Sequence, residues 1–140
     1  MSDPDVNQQA GQEGAGDPEV GTRLEPQQIF DLARHGADVL LDLVDAGLPV
    51  DLADESENTL LMLAAYHGHA GLTAGLAQRG ADVNRLNGKG QAPLAGAVFK
   101  NEAEVIRVLV EHGADPDAGN PSARATAQMF GRELPEPGSR

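Results

Sequence analysis

Glycine recurs at positions 47, 80 and 113, spaced 33 residues apart, and carries its neighbours with it. The blocks read Gly47-Leu48-Pro49-Val50-Asp51, Gly80-Ala81-Asp82-Val83-Asn84 and Gly113-Ala114-Asp115-Pro116-Asp117. Several residues returning in phase at one fixed period mark a stack of like units. In such a stack no unit buries its apolar face alone, and each relies on its neighbours.

The second unit gives the clearest local reading. Thr59 is placed to cap a helix through its hydroxyl, Leu60 to His67 continue it, and Gly68 supplies the left-handed stop. A second short helix, about Gly71 to Arg79, closes at Gly80, and the following loop turns through Asn87-Gly88. In the third unit Pro93 falls in the first helical turn, where its missing N–H costs nothing, and Asn101 replaces glycine at the stop. Glu102 to His112 predicts a helix that buries Val105, Ile106, Val108, Leu109 and Val110 together, with acids at its N-terminal end. The first unit pairs Pro26–His35 with a helix around Val39, Leu40, Leu43 and Val44. Ser122 to Phe130, stopped by Gly131, begins a fourth unit that serves as a C-terminal cap.

These residues resemble the ankyrin-repeat family, and short bacterial members in particular. Thr59-Leu60-Leu61-Met62-Leu63-Ala64-Ala65, Gly68-His69 and Gly80-Ala81-Asp82-Val83-Asn84 follow the family pattern, and Ala92-Pro93-Leu94 and Gly113-Ala114-Asp115 repeat it. The resemblance implies an all-α solenoid of antiparallel helix pairs with projecting hairpin-like loops, over about residues 25–132. The expected organisation is an acidic disordered arm (1–23), an array at 24–132 and a flexible tail (133–140). Within the array the repeats fall at about 25–53, 54–86 and 87–118, with a half-repeat at 119–132. The sequence departs from the pattern in places. Met62 and Ala95 stand where the motif has His, and Ala92 replaces the capping Thr. Gly75 lies inside a helix, at a cost of roughly 1 kcal/mol. Gly75→Ala is therefore expected to raise the melting temperature, unless the glycine admits a close neighbour.

The arm's only large apolar residues after Met1 are Val6 and Val20, too few to offset the entropy of ordering. The core is lean in aromatics, with three Phe, one Tyr and no Trp, so Leu, Ala and Val must pack it. A net charge of −12 opposes binding to nucleic acid or anionic membrane. Without cysteine there is no disulfide, thiol nucleophile or thiolate metal site. No basic leader precedes an apolar stretch and no apolar run is long enough to span a bilayer. A cytoplasmic monomer is the expectation.

The family resemblance implies partner binding on the concave face, where the two residues after the alanine pair of each first helix project. One row is then Arg34, Tyr66, Phe99 and Met129, and the next is His35, His67, Lys100 and Phe130. Aromatic and Arg anchors suit a binding hot spot; equally, Tyr66 and Phe99 would complete a core short of aromatics. The second row is read as a strip of positive charge. At the loop tips, Asp51, Asp54, Glu55 and Glu57 face Arg85 and Lys89, a pattern fitting either partner recognition or pairing across the array.

No catalytic constellation is evident. The spacing of His67 and His69 turns their rings to different faces of a helix. There is no nucleophile elbow or phosphate loop, and Gly88-Lys89-Gly90 does not fit a dinucleotide fingerprint. The chain reads as a non-enzyme without cofactor or metal, a module that binds a protein. The alternative is an accessory that protects or inhibits one enzyme, as an acidic mimic or an operon partner.

Overall fold

The computed structural model describes residues 24–135; the arm expected over 1–23 and the last five residues lie outside them. Seven helices follow in the described chain: α1 (Pro26–Arg34), α2 (Val39–Asp45), α3 (Leu60–Tyr66), α4 (Ala70–Gln78), α5 (Pro93–Lys100), α6 (Ala103–Glu111) and α7 (Ala123–Phe130). The first helices α1, α3, α5 and α7 contact one another in series. The second helices α2, α4 and α6 form a second series behind them. The described chain is thus a two-layer all-helical stack.

The helix ends follow local chemistry. Thr59 Oγ1 accepts from the Met62 N–H at 3.1 Å, and Ser122 Oγ accepts from the Ala125 N–H at 3.1 Å. At Ala92 no side chain caps α5, and Pro93 begins the helix instead. Asn101 closes α5 in the left-handed region, φ 61°, the conformation that glycine takes at Gly68 with φ 83°. Short first helices approach closely because their inward positions are small. Ala33, Ala64, Ala65, Ala97 and Ala127 are all buried, filled out by Leu60, Leu61, Leu94 and Val98. In α3 every residue from Leu60 to Ala65 is buried and only Tyr66 projects.

Two lateral staples join successive units. His69 Nε2 donates to the Arg34 carbonyl at 2.6 Å, reaching back to the C-terminal end of α1. The equivalent residue of the last unit, Arg132, donates to the Val98 and Phe99 carbonyls at 2.7 and 3.2 Å. His69 reaches a helix-end carbonyl of α1, and Arg132 reaches the Phe99 carbonyl together with that of Val98, which also accepts from the Asn101 N–H at 3.0 Å.

Packing and loop geometry add to the local expectations. Val108 is half-buried, at the edge of the face that Val105, Ile106, Leu109 and Val110 present. Leu134 lies half-buried against the core. The loop after α4 turns through Asn87-Gly88, closed by the Gly90 N–H to the Asn87 carbonyl at 3.0 Å, with Gly90 in the left-handed region (φ 77°). Gly75 is buried in α4, and a Cβ there would stand 2.6 Å from Leu41 Cδ1. The glycine lets α2 approach α4, so the simple gain expected from alanine does not follow.

Candidate functional site

The ends of α3, α5 and α7 present their last residues on one surface. Tyr66, Phe99, Met129 and Phe130 are exposed at 37%, 53%, 65% and 47%, in a chain with only four Phe and Tyr in all. They border one groove of about 300 Å³, with Met62 and Ala95 beneath. Phe99 and Phe130 meet edge to face with centroids 5.8 Å apart. Gly96 makes room for Tyr66, whose Cδ1 would lie 3.3 Å from a Cβ at that position. That close approach was readable only with α3 and α5 side by side.

Met129 and Phe130 enclose the same groove as Tyr66 and Phe99. Arg34 stands apart, held by Asp31 at 2.8 Å and facing Asp54 at 3.7 Å. In the second row Lys100 Nζ sits 4.8 Å from the Tyr66 ring centre, a cation–π contact, and the His67 ring meets Tyr66 at its edge. His35 is exposed and donates from Nδ1 to the Asp31 carbonyl. The imidazole of His67 is held below its usual pKa, first by partial desolvation, then by the charges of His69, Lys100, Arg34 and His35. Crowding therefore favours neutral His67, and the fixed positive charge of this row rests on Lys100.

The loop acids divide into two kinds. Asp54 Oδ1 accepts from the Ser56 and Asn58 N–H groups, each at 2.9 Å, so this carboxylate builds the turn. Asp51 Oδ1 accepts from the Asp82 N–H of the next unit at 3.0 Å. Glu55 and Glu57 point outward, as do Arg85 and Lys89, and among the described residues no ion pair joins these loops. The loops are tied instead by polar neutral contacts: Gly88 N–H to Ser56 carbonyl and Asn87 Nδ2 to Asn58 Oδ1, both 2.9 Å. Asp54 and Asn87 occupy equivalent places 33 residues apart and make the same turn, Asn87 Oδ1 accepting from Lys89 and Gln91. That recurrence was visible in the sequence and marks Asp54 as structural.

Among the described residues no group of three or more His, Cys, Asp or Glu is placed to hold a metal ion. No described helix is long and apolar enough to cross a membrane. What the surface offers is an apolar groove edged by cations on a helical scaffold.

Helix pairs stacked in two layers at a 33-residue repeat, with tied loops at one edge, define a repeat-stack binding scaffold. The family profile described as Ankyrin repeats (3 copies) matches residues 29–120, and the chain belongs to that family. An ankyrin repeat-containing protein of Treponema pallidum is 36% identical over 69% of this chain and 34% of its own length. An ankyrin repeat protein of Pseudomonas aeruginosa is 52% identical over 31% of this chain and 26% of its own. The chain thus matches about a third or less of these relatives' length. Serine/threonine-protein kinase 12 of Arabidopsis thaliana is 32% identical over 62% of this chain, but over 19% of that protein. Ankyrin repeats are generally modules of protein–protein interaction, typically without catalytic activity of their own.

Proposed function

We propose that this chain is a non-catalytic module that holds a partner protein on its first-helix layer, the concave face of the stack. The groove between Tyr66, Phe99 and Met129 is the centre of that contact. The supporting observation is their joint exposure on rigid helices: a chain poor in aromatics leaves most of them on one surface rather than in its core. Contiguous exposed apolar surface of this kind is a mark of interaction sites. Arg34, His35, His67 and Lys100 supply the polar flank, and Glu55 and Lys89 the contacts from the loop tips. The module works as a cytoplasmic monomer in this reading.

The test is capture from the native host with the full chain and with Tyr66→Ala/Phe99→Ala, after circular dichroism has shown the variant folded. A partner retained by the parent and lost by the double variant is the expected result. Equal capture by both would refute the assignment of the contact to the groove.

A further inference from the structure

In a chain of 22 acidic residues, α3, α5 and α7 contain none. The groove they border has no carboxylate in its wall. Beside it lies a second hollow of about 190 Å³, which shares Met62, Tyr66 and Gln91 with the groove and adds Leu63 on its floor and the polar Ser56, Asn58, Asn87 and Lys89. Its walls are again without an acid. Lys89 stands in one wall and Lys100 lies on the Tyr66 face, and neither is ion-paired among the described residues.

We propose that this double site takes a short protein segment in which a large apolar side chain adjoins a carboxylate. The apolar side chain fills the groove between Phe99 and Met129. The carboxylate enters the neighbouring hollow toward Lys89, or pairs with Lys100 at the rim. This inference rests on the concave-face reading above and adds the chemistry of the partner.

The charge distribution selects the partner by contrast. A net charge of −12 repels acidic segments from most of the surface, whereas a groove and hollow with no acid in their walls and two lysines beside them accept a carboxylate. Glu55 and Glu57 of the adjoining loop face solvent. A basic segment is drawn instead to the acidic remainder of the chain and gains nothing from the groove's rim. Complementarity and exclusion then act together, as specific interfaces require. The groove volume lies at the lower end for a ligand pocket, which suits one anchor side chain rather than a broad face.

The experiment pans a random short-peptide display library against the full folded chain and then synthesises the enriched sequences. Expected is enrichment of Asp or Glu close to Phe, Leu, Met or Trp. Binding of a selected peptide should fall about ten-fold with Phe99→Ala, and by a similar factor with Lys89→Glu/Lys100→Glu. The charge-reversed variant, panned afresh, should select Lys and Arg in place of acids. All substituted positions are exposed, and unchanged melting curves would verify the folds. Peptides that need Phe99 but show no acid preference would overturn the proposal and leave the concave-face reading standing. Peptides indifferent to both Phe99→Ala and Met129→Ala would overturn both. A library that yields no binder would overturn the proposal.

Discussion

Replacing Gly75 by alanine sets two effects of similar size against each other. Alanine is better than glycine in a helix interior by roughly 1 kcal/mol. Against that, the new Cβ would stand 2.6 Å from Leu41 Cδ1 and 2.9 Å from Cδ2. Carbon atoms rest at about 3.5–4.0 Å, so the leucine end must retreat by about 1 Å. Leu41 is half-buried on the flank of α2 and can swing outward, giving up part of its burial, about 1 kcal/mol. The single substitution should therefore fall within about 0.5 kcal/mol of neutral. Leu41→Ala alone should cost about 1 kcal/mol, less than for a fully buried leucine. In the Leu41→Ala background the clash is gone, and Gly75→Ala should stabilise by about 1 kcal/mol. The double-mutant cycle thus predicts a coupling of about 1 kcal/mol, read by urea denaturation followed by far-ultraviolet circular dichroism. A full gain from Gly75→Ala in both backgrounds would refute the contact between α2 and α4 through this glycine.

Three further outcomes follow from the same contacts. Thr59→Ala removes the cap of α3 and should cost about 1 kcal/mol, a drop in melting temperature of roughly 4–8 °C. His69→Ala removes the staple to the Arg34 carbonyl and should cost about 1 kcal/mol, with faster amide exchange at the C-terminal end of α1. His67 has a folded pKa below its ordinary value, so its unfolded form binds the proton first as pH falls. Its contribution is fully present above the unfolded pKa and is lost as pH falls from there through the folded pKa. Denaturation midpoints across that window should drop less steeply in His67→Gln than in the parent.

The architecture was legible because repeat folds write each structural role several times. Gly80 and Gly113, Thr59 and Ser122, Gly68 and Asn101 each announce the same helix end in different units, and the ends fall where those residues stand. What sequence left hidden are contacts between units. The freedom of Gly75 is cancelled by Leu41, which lies on a helix one unit earlier. Tyr66 needs Gly96 opposite it, and Arg132 clamps carbonyls more than thirty residues away. The rows of projecting side chains came from the family resemblance aligned on the period, which said nothing of their electrostatics. The lowering of the His67 pKa depends first on its partial desolvation and then on how closely His69, Lys100, Arg34 and His35 approach across the stack. Asp54 read as part of an acidic cluster because it was set beside its neighbours Glu55 and Glu57 rather than beside Asn87 one period on, whose turn it repeats.

The most direct test of partner binding at the groove is site-specific photocrosslinking in the living host. A benzophenone amino acid is placed in turn at Phe99, at Met129 and, as a control, at Val39, which is exposed on α2 in the other layer. The expected result is one discrete crosslinked protein from Phe99 and Met129 and none from Val39. Crosslinking from Val39 alone, or from all three positions equally, would contradict a contact centred on the groove.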